Sequence, residues 1–270
     1  MSDLTLFQSA VLGTLQGLAE FLPVSSSAHL SLAPWAFGWP EPGLAFDVAL
    51  HLGSLVALLW YFRAEWVDLL RAAGTVVRTG RVETEPQRRA AFLVIATVPG
   101  AIAGLALEKA AETIFRAPAL TAAALMVMGA LLWVVDARAK RAHSLASMRW
   151  DQALVVGCAQ AFALIPGVSR SGATITAARA LGFDRTSATV FSFMMSMPII
   201  AAAAVLKVPK AIAQSGVTPS FTVGVVSAAL SSALGISFLL RLIQRRGFGV
   251  FAIYRFVLGA AVLGLVAARG

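Results

Sequence analysis

Six apolar runs of helix length recur along this chain, at about 44 to 62, 91 to 107, 118 to 135, 187 to 206, 219 to 240 and 250 to 268. Each approaches the roughly 20 residues that an α-helix needs to cross a hydrocarbon core. No arrangement in water buries six such segments in a chain this short: 59% of its 270 residues are hydrophobic and only 13% charged, too little polar surface to coat a globule. The mean hydropathy of +0.81 says the same. The expected fold is therefore an all-α polytopic membrane protein, one integral domain over residues 1–270. Alternating polar and apolar decads, the mark of barrel strands, are absent, and the Gly and Ala content suits close helix packing in lipid.

Charge then orients the spans. The formal net charge of +9 would point to nucleic acid in a soluble protein, but here the cations sit in alternate loops. Arg63, Arg71, Arg78, Arg81, Arg88 and Arg89 lie in or beside the connection between the first two spans, a segment (64–89) read as a charged loop. Arg138, Lys140, Arg141 and Arg149 follow the third span, and Arg241, Arg245 and Arg246 follow the fifth. The intervening loops are mixed, with Glu108, Lys109, Glu112, Arg116, Lys207 and Lys210. The arginine-rich side is cytoplasmic by the positive-inside rule, and no nucleic-acid partner is expected. Cys158 is the only cysteine, so neither a disulfide nor a thiolate metal cluster is expected. The N-terminus lacks the basic region of a cleavable signal.

Two segments break the apolar pattern. The run from Leu4 to Leu22 stops at Pro23, meets Ser25, Ser26 and Ser27, and resumes only briefly before Gly38 and Pro40. Between Asp151 and Gly182 an apolar run gives way to IPGVSRSGAT and then to another short helical pattern. Such breaks survive at membrane depth only when buried in protein or facing a watery cavity, so both segments read as re-entrant helix hairpins. They also echo each other: Gly13 to Gln16 against Gly157 to Gln160, and Pro23-Val-Ser25 against Pro166-Gly-Val-Ser169. Three spans follow each hairpin. An odd number inverts the second half, which gives an inverted-topology repeat with halves at about 1–137 and 150–270 and hairpin tips meeting near the midplane.

The tips carry the chemistry. Gln16 and Glu20 share one helix face, and a carboxylate inside a membrane is functional by default; its structural alternative is an ion pair with arginine that locks the hairpins. Ser25, Ser26 and Ser27 exceed what capping a helix requires, and His29 stands one turn beyond Ser26, where an imidazole can serve a hydroxyl nucleophile. In the second tip, Ser169 starts a helix whose first N–H groups and dipole form an anion site. Arg170 adds a planar fork for phosphate oxygens, and Thr174, one turn on, can add a hydroxyl donor. The lysine-bearing P-loop pattern is missing, so the ligand is a phosphate without nucleotide machinery. Positive charge, nucleophile and proton acceptor together suit phosphoryl transfer. His51 and His143 are read as structural.

QGLAEFLPVSSSAHL at 16–30 and PGVSRSGAT at 166–174, with AFDVALHLGS at 45–54 and FSFMMSMP at 191–198, resemble the bacterial undecaprenyl-pyrophosphate phosphatase family, the enzymes of bacitracin resistance. The resemblance runs over essentially the whole chain. It implies hydrolysis of the C55 isoprenoid diphosphate to the monophosphate and inorganic phosphate, which recycles the lipid carrier of cell-wall precursors. It also implies a plasma-membrane location, a site open to the periplasm and a divalent cation (Mg or Ca). The family's catalytic glutamate falls on Glu20, also the tentative metal ligand. Its serine falls on Ser26, its histidine on His29, and its phosphate-gripping group on Ser169, Arg170, Ser171 and Thr174; Gln16 stands where some members carry a second glutamate.

Either Ser26 or His29 could be the nucleophile on these grounds, with Gln16, Ser25 and Ser27 as substrate contacts. A lipid-phosphate transporter using the same midplane site is the alternative function, since many carriers share inverted repeats with broken helices. Membrane lipids are expected partners. Gly13 and Gly17 form a small-xxx-small pair that could pack internally or support a homodimer.

Overall fold

The computed structural model describes residues 4–107 and 117–269, all helix, turn and loop, with no strand among them beyond an isolated bridge between His143 and Phe183. The helices are α1 (Leu6–Phe21), α2 (Ser26–Phe37), α3 (Gly43–Tyr61), α4 (Arg63–Thr79), α5 (Glu85–Ala106), α6 (Pro118–Arg138), α7 (Trp150–Ala161), α8 (Arg170–Ala180), α9 (Arg185–Ser215), α10 (Pro219–Arg245) and α11 (Gly249–Arg269). Their ends follow local chemistry. Thr5 with Gln8 and Thr84 with Gln87 form capping boxes. Pro86, Pro118 and Pro219 occupy first-turn positions where a missing N–H is harmless. Gly38 and Gly80 end α2 and α4 in the left-handed conformation.

Five helices (α5, α6, α9, α10 and α11) are each long and apolar enough to cross a membrane. The sixth expected span is α3, which turns by 85° at Phe62 into α4. The segment 64–89, expected as a loop, is thus mostly helix. Leu69 and Ala72 are its buried face, while Arg63, Glu65, Asp68, Arg71 and Arg78 keep to water, the pattern of an interfacial amphipathic helix. Lys207 and Lys210, placed in a loop, lie in the last turns of α9. Glu108, Lys109, Glu112 and Arg116 fall outside the described residues.

The four hairpin arms hold 16, 12, 12 and 11 residues, each below the roughly 20 that span. Both hairpins return to the end from which they start. Phe7 at the head of α1 meets Trp39 just past α2, with ring centroids 6.5 Å apart. At the other end, the Gly182 carbonyl after α8 accepts from the N–H groups of Ala142 and His143, seven residues before α7. The Leu4 carbonyl accepts from Ser220 at the start of α10, and the second hairpin returns beside the Asp136–Arg185 contact at the end of α6. The hairpins therefore enter from opposite ends of the bundle.

Packing repeats with the halves exchanged. α1 lies along α10, which also packs on α3, whereas α7 lies along α5, which also packs on α9, and the last helices of the halves, α6 and α11, pack on each other. Glycine permits the closest crossings. A Cβ at Gly13 would collide with the Gly224 carbonyl, and one at Gly17 with Ser231 and the Ala228 carbonyl of α10. The small-xxx-small pair thus serves internal packing.

Candidate active site

Glu20 closes α1 where Pro23 ends the helix, and four side chains converge on it. Ser26 donates to its Oε2 at 2.6 Å, and Gln16 Nε2 donates to the same oxygen at 3.0 Å. Arg170, from the other hairpin, pairs with Oε1, so a residue contact separated by 150 positions in sequence joins the two tips. The fourth neighbour is His51 of α3, whose Nε2 lies 3.4 Å from Oε2. Its Nδ1 donates to the Asp47 carbonyl at 2.7 Å. His51 is therefore part of this cluster rather than a bystander, which corrects its structural assignment; an imidazole one face-turn along an apolar span was the signal.

The tips are built alike. Ser25 (φ 74°) and Ser169 (φ 71°) are the only described non-glycine residues with positive φ, a conformation that costs each of them about 1–3 kcal/mol and gathers at functional sites. Each is a helix N-cap: Ser25 Oγ accepts from Ala28 N–H, and Ser169 Oγ from Gly172 N–H. Each also reaches the serine two residues on, Ser27 at 3.2 Å and Ser171 at 3.1 Å. The caps leave the first N–H groups of both helices, those of Ser26, Ser27, Arg170 and Ser171, without a backbone partner. Two positive helix ends and one guanidinium thus face a common region, held together by Gly167 N–H on Ser25 Oγ (3.1 Å) and Ser171 Oγ on the Leu22 carbonyl (3.3 Å).

Arg255 of α11 completes the frame. It is fully buried and, among the described residues, pairs with no carboxylate. Its Nε donates to the Pro23 carbonyl at 2.5 Å, and its Nη1 to those of Gly167 and Val168 at 3.4 and 3.2 Å, so one guanidinium binds both loops from behind. Gly172 is glycine because a side chain there would run into Arg255 Nη2. An arginine in the middle of an apolar span is costly without such work, and that was the overlooked clue to this residue.

Two expectations change. His29 does not meet Ser26: its Nδ1 faces the Ser25 carbonyl at 2.7 Å and its Nε2 the Tyr254 hydroxyl at 2.7 Å. A carbonyl only accepts, so Nδ1 carries the hydrogen, and in the neutral ring Nε2 accepts from Tyr254. The Ser26 proton faces Glu20 instead, because a helical Ser26 and the end of α1 are brought together by the tight Pro23 turn. Thr174 is buried with its hydroxyl directed to the Arg170 carbonyl (2.8 Å) and Ser192 (2.7 Å), away from the convergent N–H groups. It braces α8 against α9. Arg170 is steadied from the same helix, its Nη1 donating to the Ser196 carbonyl at 3.3 Å. The segments 45–54 and 191–198 thus reach the cluster through His51, Ser192 and Ser196.

Among the described residues no group of three His, Cys, Asp or Glu side chains could cage a metal. One carboxylate does fit a hard cation that takes most of its ligands from substrate phosphate and water. The buried Gln16 Oε1 beside it has no hydrogen-bond partner among the described residues and is a second oxygen donor of suitable chemistry.

A family model described as bacitracin resistance protein BacA matches residues 9–261. An undecaprenyl-diphosphatase of Gemmatimonas aurantiaca is 53% identical over 266 residues, covering 98% of this chain and 100% of the relative. One of Pelotomaculum thermopropionicum is 48% identical over 266 residues, 98% of each. One of Moorella thermoacetica is 45% identical over 260 residues, 96% of this chain and 97% of the relative.

Proposed function

Because the chain belongs to the bacitracin resistance protein BacA family, whose similar members are named undecaprenyl-diphosphatase, we propose that it hydrolyses undecaprenyl diphosphate to undecaprenyl phosphate and inorganic phosphate. The single observation that carries the chemistry is the Ser26–Glu20–Arg170 contact across the two hairpins. It sets a nucleophile, a proton acceptor and a phosphate clamp side by side. Arg170 has five N–H donors, of which Glu20 and Ser196 take one each, so three remain for phosphate oxygens. The free N–H groups of Ser26, Ser27, Arg170 and Ser171 add donors from two helix ends, which is electrostatic stabilisation built before the substrate arrives.

In this mechanism Ser26 Oγ attacks the terminal phosphorus while its proton passes to Glu20 Oε2. The bridging P–O bond breaks, and undecaprenyl phosphate leaves with the electron pair. Water then attacks the phosphoserine, Glu20 returns the proton to Ser26 Oγ, and the water's own proton departs with the inorganic phosphate. His29, held between the Ser25 carbonyl and Tyr254, positions the first turn of α2, and His51 orients Glu20. Ser26 is favoured over His29 as nucleophile because its hydroxyl lies 2.6 Å from a carboxylate, whereas the free nitrogen of His29 is occupied by Tyr254. A divalent cation, where bound, would be held by Glu20 and Gln16 and would neutralise charge on the diphosphate.

The exchanged packing of the halves supports their reading as an inverted repeat, in a multi-pass protein of the bacterial plasma membrane whose site is approached from the periplasmic side, opposite the arginine-rich loops. Membrane lipids surround it, and a homodimer would add nothing to the chemistry, since every group invoked belongs to one chain. Purified protein in detergent should release inorganic phosphate from a lipid diphosphate; a transporter, with no membrane to cross, would release none. Labelling Ser27→Cys in a Cys158→Ser background with reagents confined to one side tests the direction of approach: reaction only from the cytoplasmic side would refute it.

A further inference from the structure

At the arginine-rich end of the bundle, between the end of α6 and the start of α11, lies a cavity of about 520 Å³ lined by Trp133, Asp136, Arg185, Arg246, Val250 and Ile253 among others. It is separate from the catalytic cluster. Arg179 marks its distance: it binds Asp136 from the far end of α8, nine residues and so roughly 14 Å along the helix from Arg170.

The charge in this cavity does not balance. Asp136 is a single carboxylate, and it accepts from Arg179 Nε at 2.8 Å, from Arg185 Nη2 at 2.8 Å and from the Phe248 N–H at 3.1 Å. Two guanidiniums against one carboxylate leave one positive charge. Arg246, exposed on the rim, forms no ion pair among the described residues, which leaves a second. Arg185 Nη1 also forms no hydrogen bond among the described residues. The other wall is apolar and open to the surroundings: Trp133, Val250 and Ile253 are 50%, 51% and 56% exposed. Gly247 contributes no side chain to fill the space, and a Cβ there would come 2.6 Å from Arg185 Nη2.

A soluble anion would need the charge but not the apolar wall, and a neutral lipid would need the wall but not the charge. A basic pocket between spans on the cytoplasmic side, with a tryptophan at headgroup depth, has the chemistry of an anionic lipid site. We propose that this cavity binds the phosphate headgroup of an anionic phospholipid of the cytoplasmic leaflet, with Arg246 and Arg185 on the phosphate and an acyl chain along Trp133, Val250 and Ile253.

Delipidated protein titrated with phosphatidylglycerol and with phosphatidylcholine of the same chains, bound copies being counted by native mass spectrometry, tests this. Phosphatidylglycerol should bind the tighter, and Arg246→Gln should lower its affinity about tenfold, the scale of one lost charge-assisted bond. Arg241→Gln, exposed at the same end but outside the cavity, should leave it unchanged. Equal retention of the two lipids, or an Arg246→Gln protein with unaltered preference, overturns the proposal. Displacement of phosphatidylglycerol by excess inorganic phosphate also overturns it, since the site would then be one for the free anion.

Discussion

Replacing Gly172 by alanine is the sharpest test of how the two loops are held. The added Cβ would lie inside 3 Å of Arg255 Nη2, 3.3 Å from Arg255 Cζ and 3.1 Å from Ser169 Cβ, where ordinary contact begins at 3.4 Å. Arg255 is fully buried and bonded to carbonyls of both loops, so it has nowhere to retreat without carrying Pro23, Gly167 and Val168 with it. Relief therefore shifts one hairpin tip against the other by up to about 1 Å, and a misplacement of that size at a reacting centre costs on the order of 10²-fold in rate. Steady-state release of phosphate from a lipid diphosphate should show kcat lower by about that factor with KM changed only a few-fold. The protein should remain folded in detergent, because the clash is local. In an Arg255→Ala background the same substitution should add little, the non-additivity expected of residues in contact. A Gly172→Ala protein within threefold of the parent rate, or full additivity with Arg255→Ala, would refute the role given to this guanidinium.

Other substitutions separate the roles in the cluster. Ser26→Ala should lower turnover by several orders of magnitude, as removal of a nucleophile does, and a phosphorylated residue trapped in the parent protein should map to Ser26 by mass spectrometry. Tyr254→Phe removes the donor to His29 Nε2 and should slow phosphate release about tenfold, the scale of a buried acceptor left without its bond; an unaltered rate would take His29 out of the positioning scheme. His51→Ala should lower kcat by a smaller factor than Glu20→Gln, since it touches the carboxylate from only one side. Asp136→Asn strips the counter-charge from fully buried Arg179 and should destabilise the protein by about 3 kcal/mol, read as a lower unfolding midpoint in detergent.

Much of this architecture is legible in the sequence because the bilayer restricts the choices so strongly. The spans declare themselves by length, and Pro23 and Pro166-Gly167 declare the breaks, since backbone left open at membrane depth must be buried by something. Glu20, Ser26 and Arg170 stand out as polar groups that lipid would not tolerate unpaired. What the sequence hides is partnership across long separations. Ser26 and His29 are neighbours along α2, so proximity in sequence pairs them, yet the Pro23 turn brings Glu20 to the serine while Tyr254, 225 positions away, takes the imidazole. His51 resembles an incidental polar residue in an apolar span until α3 is packed against α1. Arg255 could have been found by the argument used for Glu20, an ion in a span requiring a purpose. The helix α4 was obscured because its charge density resembles a loop, although its apolar residues recur at helical spacing.

The most direct measurement is an experimental structure with a non-hydrolysable isoprenoid methylenediphosphonate. The account predicts that the terminal phosphonate lies between the hairpins, its oxygens within hydrogen-bond reach of the Arg170 guanidinium and the N–H groups that begin α2 and α8, with Ser26 Oγ in line with its phosphorus. A headgroup bound to one hairpin alone, with Ser26 and Arg170 on different sides of it and out of reach, would contradict the account.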